Sequence, residues 1–306
     1  MFSRVTNQSL TRNAQYNLQT GLSSLAKLQN QAASRKAISV PSDDPAGTTK
    51  ALQVRSEKAA TAQYARNIDD GNAWLGTIDS TMTTVSNILG RIRDLTVQGA
   101  NDGAMSPTSK QAISTELTNL KGELLRQANT SYLGRNVFAG NTDAGVAFNP
   151  DYSFNGATGS TVQRRIDAST TVRVDADGAA VFGVNPGADP VLNPGTTPGS
   201  VFTLVDNIIS DLQSGVNVGA RLAEIDQRKQ AISAQQAIIG TTEAQMDRAQ
   251  ATNASQTVSL EAQRSSVEDL DLGKVILDLQ TQQTTYQASL GVTARVLQPT
   301  LMDFLR

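Results

Sequence analysis

A mainly α protein is predicted: long antiparallel helices whose two ends pair, interrupted by one small β-rich insert. Three observations predict it. Both ends carry polar helices with apolar residues on a seven-residue spacing. Near the C-terminus, Leu272, Leu279 and Tyr286 form one series, and Ile276, Leu290, Leu297 and Phe304 form another with Gln283 in the gap. Near the N-terminus, Leu18, Leu22, Leu25, Leu28 and Ala32 form a similar stripe. Between them, Ile68, Leu75, Met82 and Leu89, and Ile78, Val85 and Ile92, repeat every seven residues. Helical spacing then vanishes over 136–199, where Gly, Pro, Asn and Asp become dense.

A narrow apolar stripe cannot bury itself on one helix and needs partner helices. Two such ends point to a chain that pairs them and then pairs with further copies. An assembling structural protein is therefore expected before an enzyme.

The first helix is expected from about Val5 to Ala33, stopping before Pro41 because the residue ahead of a proline resists the α region. In the loop Pro41-Ser42-Asp43-Asp44-Pro45, Asp44 reads as an N-cap and Pro45 as the first helical residue, where its missing N–H costs nothing. Asp43 adds negative charge at the positive helix end. The next helix should run from Pro45 to about Gly99, on the order of 80 Å at 1.5 Å per residue. Asn101-Asp102-Gly103 makes a turn, and Ser106-Pro107 opens a third helix with the face Ile113, Leu117, Leu120 and Leu124, ending near Tyr132.

Short β-prone pieces follow at 137–138, 162–166, 171–174 and 180–182, with a hairpin turn expected at 175–178. Helix resumes after Ser200 with Val201, Leu204, Val205, Ile208 and Leu212 on one side. A long helix from about Gly219 to Leu260 holds Leu222, Ile225, Ile232, Ile239 and Met246 on its seam. Ser265 and Glu268 read as a capping box for the terminal helix. The resulting segments are 1–44, 45–135, 136–199, 200–265 and 266–306.

Composition removes most chemistry. The 306 residues contain no cysteine and no histidine, so disulfides, thiolate or imidazole metal sites and imidazole-based triads are excluded. Adjacent Asp43 and Asp44 diverge in direction and have no accompanying acid, base or metal motif, so a capped helix start is preferred to a carboxylate pair. Asp175 and Asp177 begin like a calcium loop but lack its other ligands. No Gly-x-Gly-x-x-Gly or Gly-x-x-x-x-Gly-Lys occurs. No cofactor is expected.

Aromatic residues make up only 4% of the chain, which suggests thin, extended packing. The net charge of −2 gives no sign of a nucleic-acid partner, and no apolar run approaches the about 18 residues of a membrane span. The N-terminus lacks the apolar core of a signal peptide. Residues 1–42 carry Arg4, Arg12, Lys27, Arg35 and Lys36, and the last forty lean acidic. The two ends either attract one another or remain solvated faces.

Several ordered segments carry a family resemblance. They are Ser39-Val40-Pro41-Ser42-Asp43-Asp44-Pro45-Ala46-Gly47, then Arg66-Asn67-Ile68-Asp69-Asp70-Gly71, then Ile92-Arg93-Asp94-Leu95-Thr96-Val97-Gln98-Gly99-Ala100-Asn101, then Gly134-Arg135-Asn136-Val137-Phe138-Ala139-Gly140. Over nearly its full length the chain resembles the flagellin superfamily. Within it, the second proline of the loop and the tail Thr284–Pro299 resemble the hook–filament junction branch more than filament flagellin.

The resemblance implies a flagellin-like helical rod with a terminal coiled coil and an outward β-rich domain. It implies a structural subunit, exported by the flagellar type III pathway, that self-assembles as a homo-oligomeric ring. Its implied partners are the other hook-associated junction protein, flagellin and an export chaperone. Assembly contacts are expected at Leu18, Leu22, Leu25, Leu28, Leu272, Ile276, Leu279, Leu290 and Leu297, and chaperone contacts at Leu290, Leu297, Leu301 and Phe304. A filament flagellin is the nearest alternative. A soluble signalling coiled coil would keep its heptads through the middle, and this chain does not.

Overall fold

The structure, a computed structural model, describes residues 7–101, 105–142, 145–157, 159–184 and 199–296. Its helices are α1 (Asn7–Ser34), α2 (Pro45–Gly99), α3 (Pro107–Ala128), α4 (Gly178–Phe182), α5 (Val201–Ser214), α6 (Leu222–Glu268) and α7 (Leu272–Val296). Four short strands are β1 (Ser131–Tyr132), β2 (Arg135–Asn136), β3 (Gln163–Arg165) and β4 (Thr171–Arg173). The chain forms two compact units, residues 1–60 with 255–306, and residues 61–254. Both α2 and α6 contribute residues to each.

The unit 61–254 is built on the heptad seams. Ile68, Leu75, Ile78, Met82, Val85, Leu89 and Ile92 of α2 are fully buried. They share one hydrophobic cluster with Ile225, Ile232, Ile239 and Met246 of α6, Ile113, Leu117 and Leu124 of α3, and Leu204, Val205, Ile208 and Leu212 of α5. Each such side chain contributes about 1.5–3 kcal/mol of burial. α3 starts on Ser106, whose Oγ accepts from Ser109 N at 3.2 Å. α5 starts on Ser200, whose Oγ accepts from Thr203 N at 3.2 Å.

The insert differs from the sequence reading. α3 stops at Ala128, not near Tyr132, because Ser131 and Tyr132 pair with Asn136 and Arg135 in an antiparallel hairpin. The second hairpin pairs Gln163 with Arg173 and Arg165 with Thr171. Its turn lies at Asp167–Thr170, where the Asp167 carboxylate accepts from Ser169 N at 2.6 Å and Thr170 N at 2.7 Å.

The turn expected at 175–178 does not form a hairpin. Asp175 is buried, accepts from Val162 N at 2.7 Å and pairs with Arg173. Asp177 accepts from Ala179 N at 2.9 Å and caps α4, so 180–182 are helical where a strand was expected. A local side-chain cap outweighs the β preference of Val181 and Phe182.

Nor are the aromatics spread thinly. Five of the seven phenylalanines, Phe138, Phe148, Phe154, Phe182 and Phe202, join Tyr152 in one chain of ring contacts with centroids 4.8–6.2 Å apart. The β3–β4 hairpin is tied to α2 by Arg164 on Asp70 at 2.6 Å and by Asn67 Nδ2 on the Arg165 carbonyl at 2.8 Å.

Candidate assembly face on the paired terminal helices

In the unit 1–60 with 255–306, α1 and α7 pack side by side, antiparallel. The order follows from their ends: Lys36, just past α1, bridges Asp269, just before α7. Ala37 N donates to the Glu268 carbonyl at 2.9 Å. Farther along, Gln282 Nε2 donates to the Gly21 carbonyl at 3.3 Å. A Cβ on Gly21 would meet the Tyr286 ring at 3.3 Å, so the small residue lets the two helices approach.

The seam uses alternating steps of three and four residues. Ala14, Leu18, Gly21, Leu25, Leu28 and Ala32 are half-buried on α1. Leu279, Gln282, Tyr286, Ser289 and Thr293 are half-buried on α7, and Val275 is buried. This spacing is that of a two-helix coiled coil.

The residues expected to carry assembly therefore divide into two sets. Leu18, Leu25, Leu28 and Leu279 lie on the seam between α1 and α7. Leu22 is 52% exposed, Leu272 43%, Ile276 52% and Leu290 44%. Leu22 falls one position past the seam residue Gly21, and Ile276, Gln283 and Leu290 each fall one position past the seam residues Val275, Gln282 and Ser289, so both sets flank the seam. Sequence reading did not name Leu277 and Val292, which are 65% and 62% exposed. They fall outside both seven-residue series, which is why pattern reading passed over them. Leu297, Leu301 and Phe304 lie outside the described residues.

The loop between α1 and α2 is held by its two aspartates. Asp43 Oδ2 accepts from Ser39 N at 3.2 Å and Val40 N at 3.1 Å, and Oδ1 meets Lys27 Nζ at 3.0 Å. The Lys27 hydrogen bond, with the backbone amides, holds the Asp43 carboxyl below its ordinary range. Asp44 Oδ1 accepts from Gly47 N at 2.9 Å, capping α2 with Pro45 as its first residue. Pro41, Ser42, Asp44 and Pro45 are exposed and Asp43 is half-buried.

Where α1 ends and α7 begins, beside this loop, an ionic cluster joins α2 to α6. Glu268 is buried and takes both arms of the Arg55 guanidinium. Arg264 reaches Glu261 at 2.9 Å, Asp269 at 3.2 Å and Glu268 at 3.5 Å, and Lys58 also pairs with Glu261. The Arg55 hydrogen bond pulls the Glu268 carboxyl down, and Arg264 with Lys58 pulls Glu261 to about 2. Glu268 is thus committed to Arg55 and does not close a capping box with Ser265. α6 runs through to Glu268, and α7 opens instead on Asp271, whose Oδ1 accepts from Lys274 N at 3.1 Å.

Among the described residues no group of acidic side chains is arranged to hold a metal ion, and no helix is long and apolar enough to cross a membrane.

Known proteins share this organisation. Family models for the bacterial flagellin N-terminal and C-terminal helical regions match residues 5–143 and 222–305. Flagellar hook-associated protein 3 of Salmonella typhimurium is 24% identical over 86% of this chain and 87% of its own. Polar flagellin F of Vibrio parahaemolyticus is 34% identical, but over 42% of this chain and 34% of its own. The solved flagellar hook associated protein-3 from Legionella pneumophila has the same fold, with a TM-score of 0.59 at 16% identity over 71% of this chain and 98% of that one. With its N-terminal helices matched by one family model and its C-terminal helices by the other, the chain belongs to the bacterial flagellin family.

Proposed function

We propose that this chain is a structural subunit of the bacterial flagellum that joins the hook to the filament. The observation that carries the reading is the line of exposed apolar residues on helices that are already paired. Leu22, Leu272, Ile276 and Leu290 have no use left inside the α1–α7 seam. Exposed leucines at this density mark an interaction surface, and burying each contributes about 2 kcal/mol. A ring of copies docked through these residues would leave Leu18, Leu25, Leu28 and Leu279 to hold each copy's own helix pair.

The junction reading rests on the span of the likeness to hook-associated protein 3, which runs through nearly all of both chains. Filament flagellin is the second reading, favoured by higher identity over a shorter stretch. In either role the partners are further copies, flagellin and, for the junction, the other hook-associated protein. Export by the flagellar type III route would use an export chaperone over Leu290 and the tail beyond it. The segments 1–44 and 266–306 would serve as axial helices, 45–135 and 200–265 as the rod, and 136–199 as the outer part.

A seeding assay read by negative-stain electron microscopy tests this. Purified protein is added to isolated hooks carrying the other junction protein, with and without flagellin. A short, non-growing collar that flagellin requires before it polymerises is the expected result. Long filaments of this protein alone would make it a filament flagellin, and no binding to hooks would remove the flagellar junction role.

A further inference from the structure

We propose that Arg228 and the first turn of α5 form a binding site for a small oxyanion or carboxylate. Arg228 lies in α6 and is 4% exposed. Its Nη2 donates to the Gly199 carbonyl, while its Nε has no partner. Other arginines of the same unit meet acids: Arg221 sits between Asp211 and Glu224, Arg93 on Asp226 and Arg164 on Asp70. Arg228 pairs with no carboxylate among the described residues. A buried guanidinium without an anion is costly, and such charges are normally paired.

The fold makes room for this charge. Gly183 has a φ of 74°, and a Cβ there would lie 2.5, 2.7 and 2.8 Å from Nη2, Cζ and Nη1. The guanidinium therefore lies flat against bare backbone. The carbonyl it holds belongs to the residue before Ser200, the N-cap of α5. Ser200 Oγ serves the Thr203 amide. The Val201 and Phe202 amides are first-turn groups, which a helix supplies with no acceptor of its own. The carbonyl that this buried cation holds thus lies one residue before the N-cap at the positive end of a 14-residue helix. A planar guanidinium beside helix amides suits a forked oxygen ligand.

Inorganic phosphate and acetate are the probes, titrated into the full chain at constant ionic strength in sodium chloride. The readouts are Trp74 fluorescence during thermal unfolding and isothermal calorimetry at 25 °C. The expected result is heat of binding and a saturable rise in the unfolding midpoint, lost in Arg228→Met and partly kept in Arg228→Lys. Preference between the probes separates an oxyanion ligand from a carboxylate. Phosphate also stabilises proteins by exclusion from their surface, an effect that does not saturate. Two results would overturn the proposal. One is an equal, unsaturating response in wild type and Arg228→Met; the other is no heat with either probe. The guanidinium would then be a structural charge braced by the Gly199 carbonyl alone.

Discussion

Glu268 receives the Arg55 guanidinium as a fork, Nε to Oε1 at 2.6 Å and Nη2 to Oε2 at 2.8 Å. The pair joins α2 to the last residue of α6, where the backbone turns into α7. Glu268 is buried while the Arg55 side chain is half exposed. The bond is therefore worth less than a fully buried ion pair and more than a surface one. A double-mutant cycle with Arg55→Ala and Glu268→Gln should give a coupling of about 1–2 kcal/mol. Hydrogen exchange of the amides of 266–275 measures it; additive effects would mean the fork is ornamental.

Acid should loosen the same end of the molecule. The Glu268 and Glu261 carboxyls have folded values below their ordinary ones, Glu261 near 2. A depressed carboxylate stabilises fully above its unfolded value, about 4.3, and that contribution is lost as pH falls through the folded value. Protease cutting around 266–275 should therefore rise between about pH 4.5 and pH 2. In Glu268→Gln the rise should be smaller, with faster cutting already at neutral pH.

Gly47→Ala should destabilise although alanine is the better helix former. A Cβ at Gly47 would lie 2.4 Å from Asp44 Oδ2 and 2.8 Å from Ile38 Cδ1. It would displace the carboxylate that caps α2, costing about 1 kcal/mol. Asp44→Ala should cost a similar amount. The double variant should cost less than the two singles summed, because the first change removes the group that the second strikes. Urea unfolding followed by circular dichroism tests that sign.

How much the sequence disclosed depended on the length of each pattern. The seams of α2 and α6 were legible because many residues repeat one spacing, and Ile68 through Ile92 are buried as read. The α4 segment was not, because one cap by Asp177 decides five residues, of which Val181 and Phe182 favour strand. The phenylalanine cluster was hidden too, since its members lie 138 to 202 in the chain with no common period. At the candidate site, the apolar residues of α1 and α7 were visible but their direction was not. Gly21 and Gln282 sit on the seam, and a hydrophobic pattern does not count glycine or glutamine.

Limited trypsin digestion should cut α1 before the unit 61–254 opens. Arg12, Lys27, Arg35 and Lys36 are all exposed or flank half-buried residues, and the α1–α7 seam buries few side chains completely. Trp74, the chain's one tryptophan, is 1% exposed and packs edge-on against Tyr132 at 5.6 Å. Its fluorescence should stay unchanged while residues 7–36 are lost. Full protection of this stretch in the monomer would mean that the α1–α7 pair is stable without assembly.

The two faces of the terminal helices should separate by mutation. Leu22→Asp with Ile276→Asp changes exposed positions, so Trp74-reported stability should move by less than about 0.5 kcal/mol and the helix content should hold. Collar formation on hooks should nevertheless disappear, because charge enters the face proposed to meet the next copy. Leu25→Asp with Leu279→Asp charges the seam itself. Like charges on facing helices should unpair α1 from α7 and lower the helix signal in circular dichroism, with assembly lost as a consequence. Loss of helix in the first variant, or full assembly by it, would mean that Leu22 and Ile276 have been placed on the wrong face.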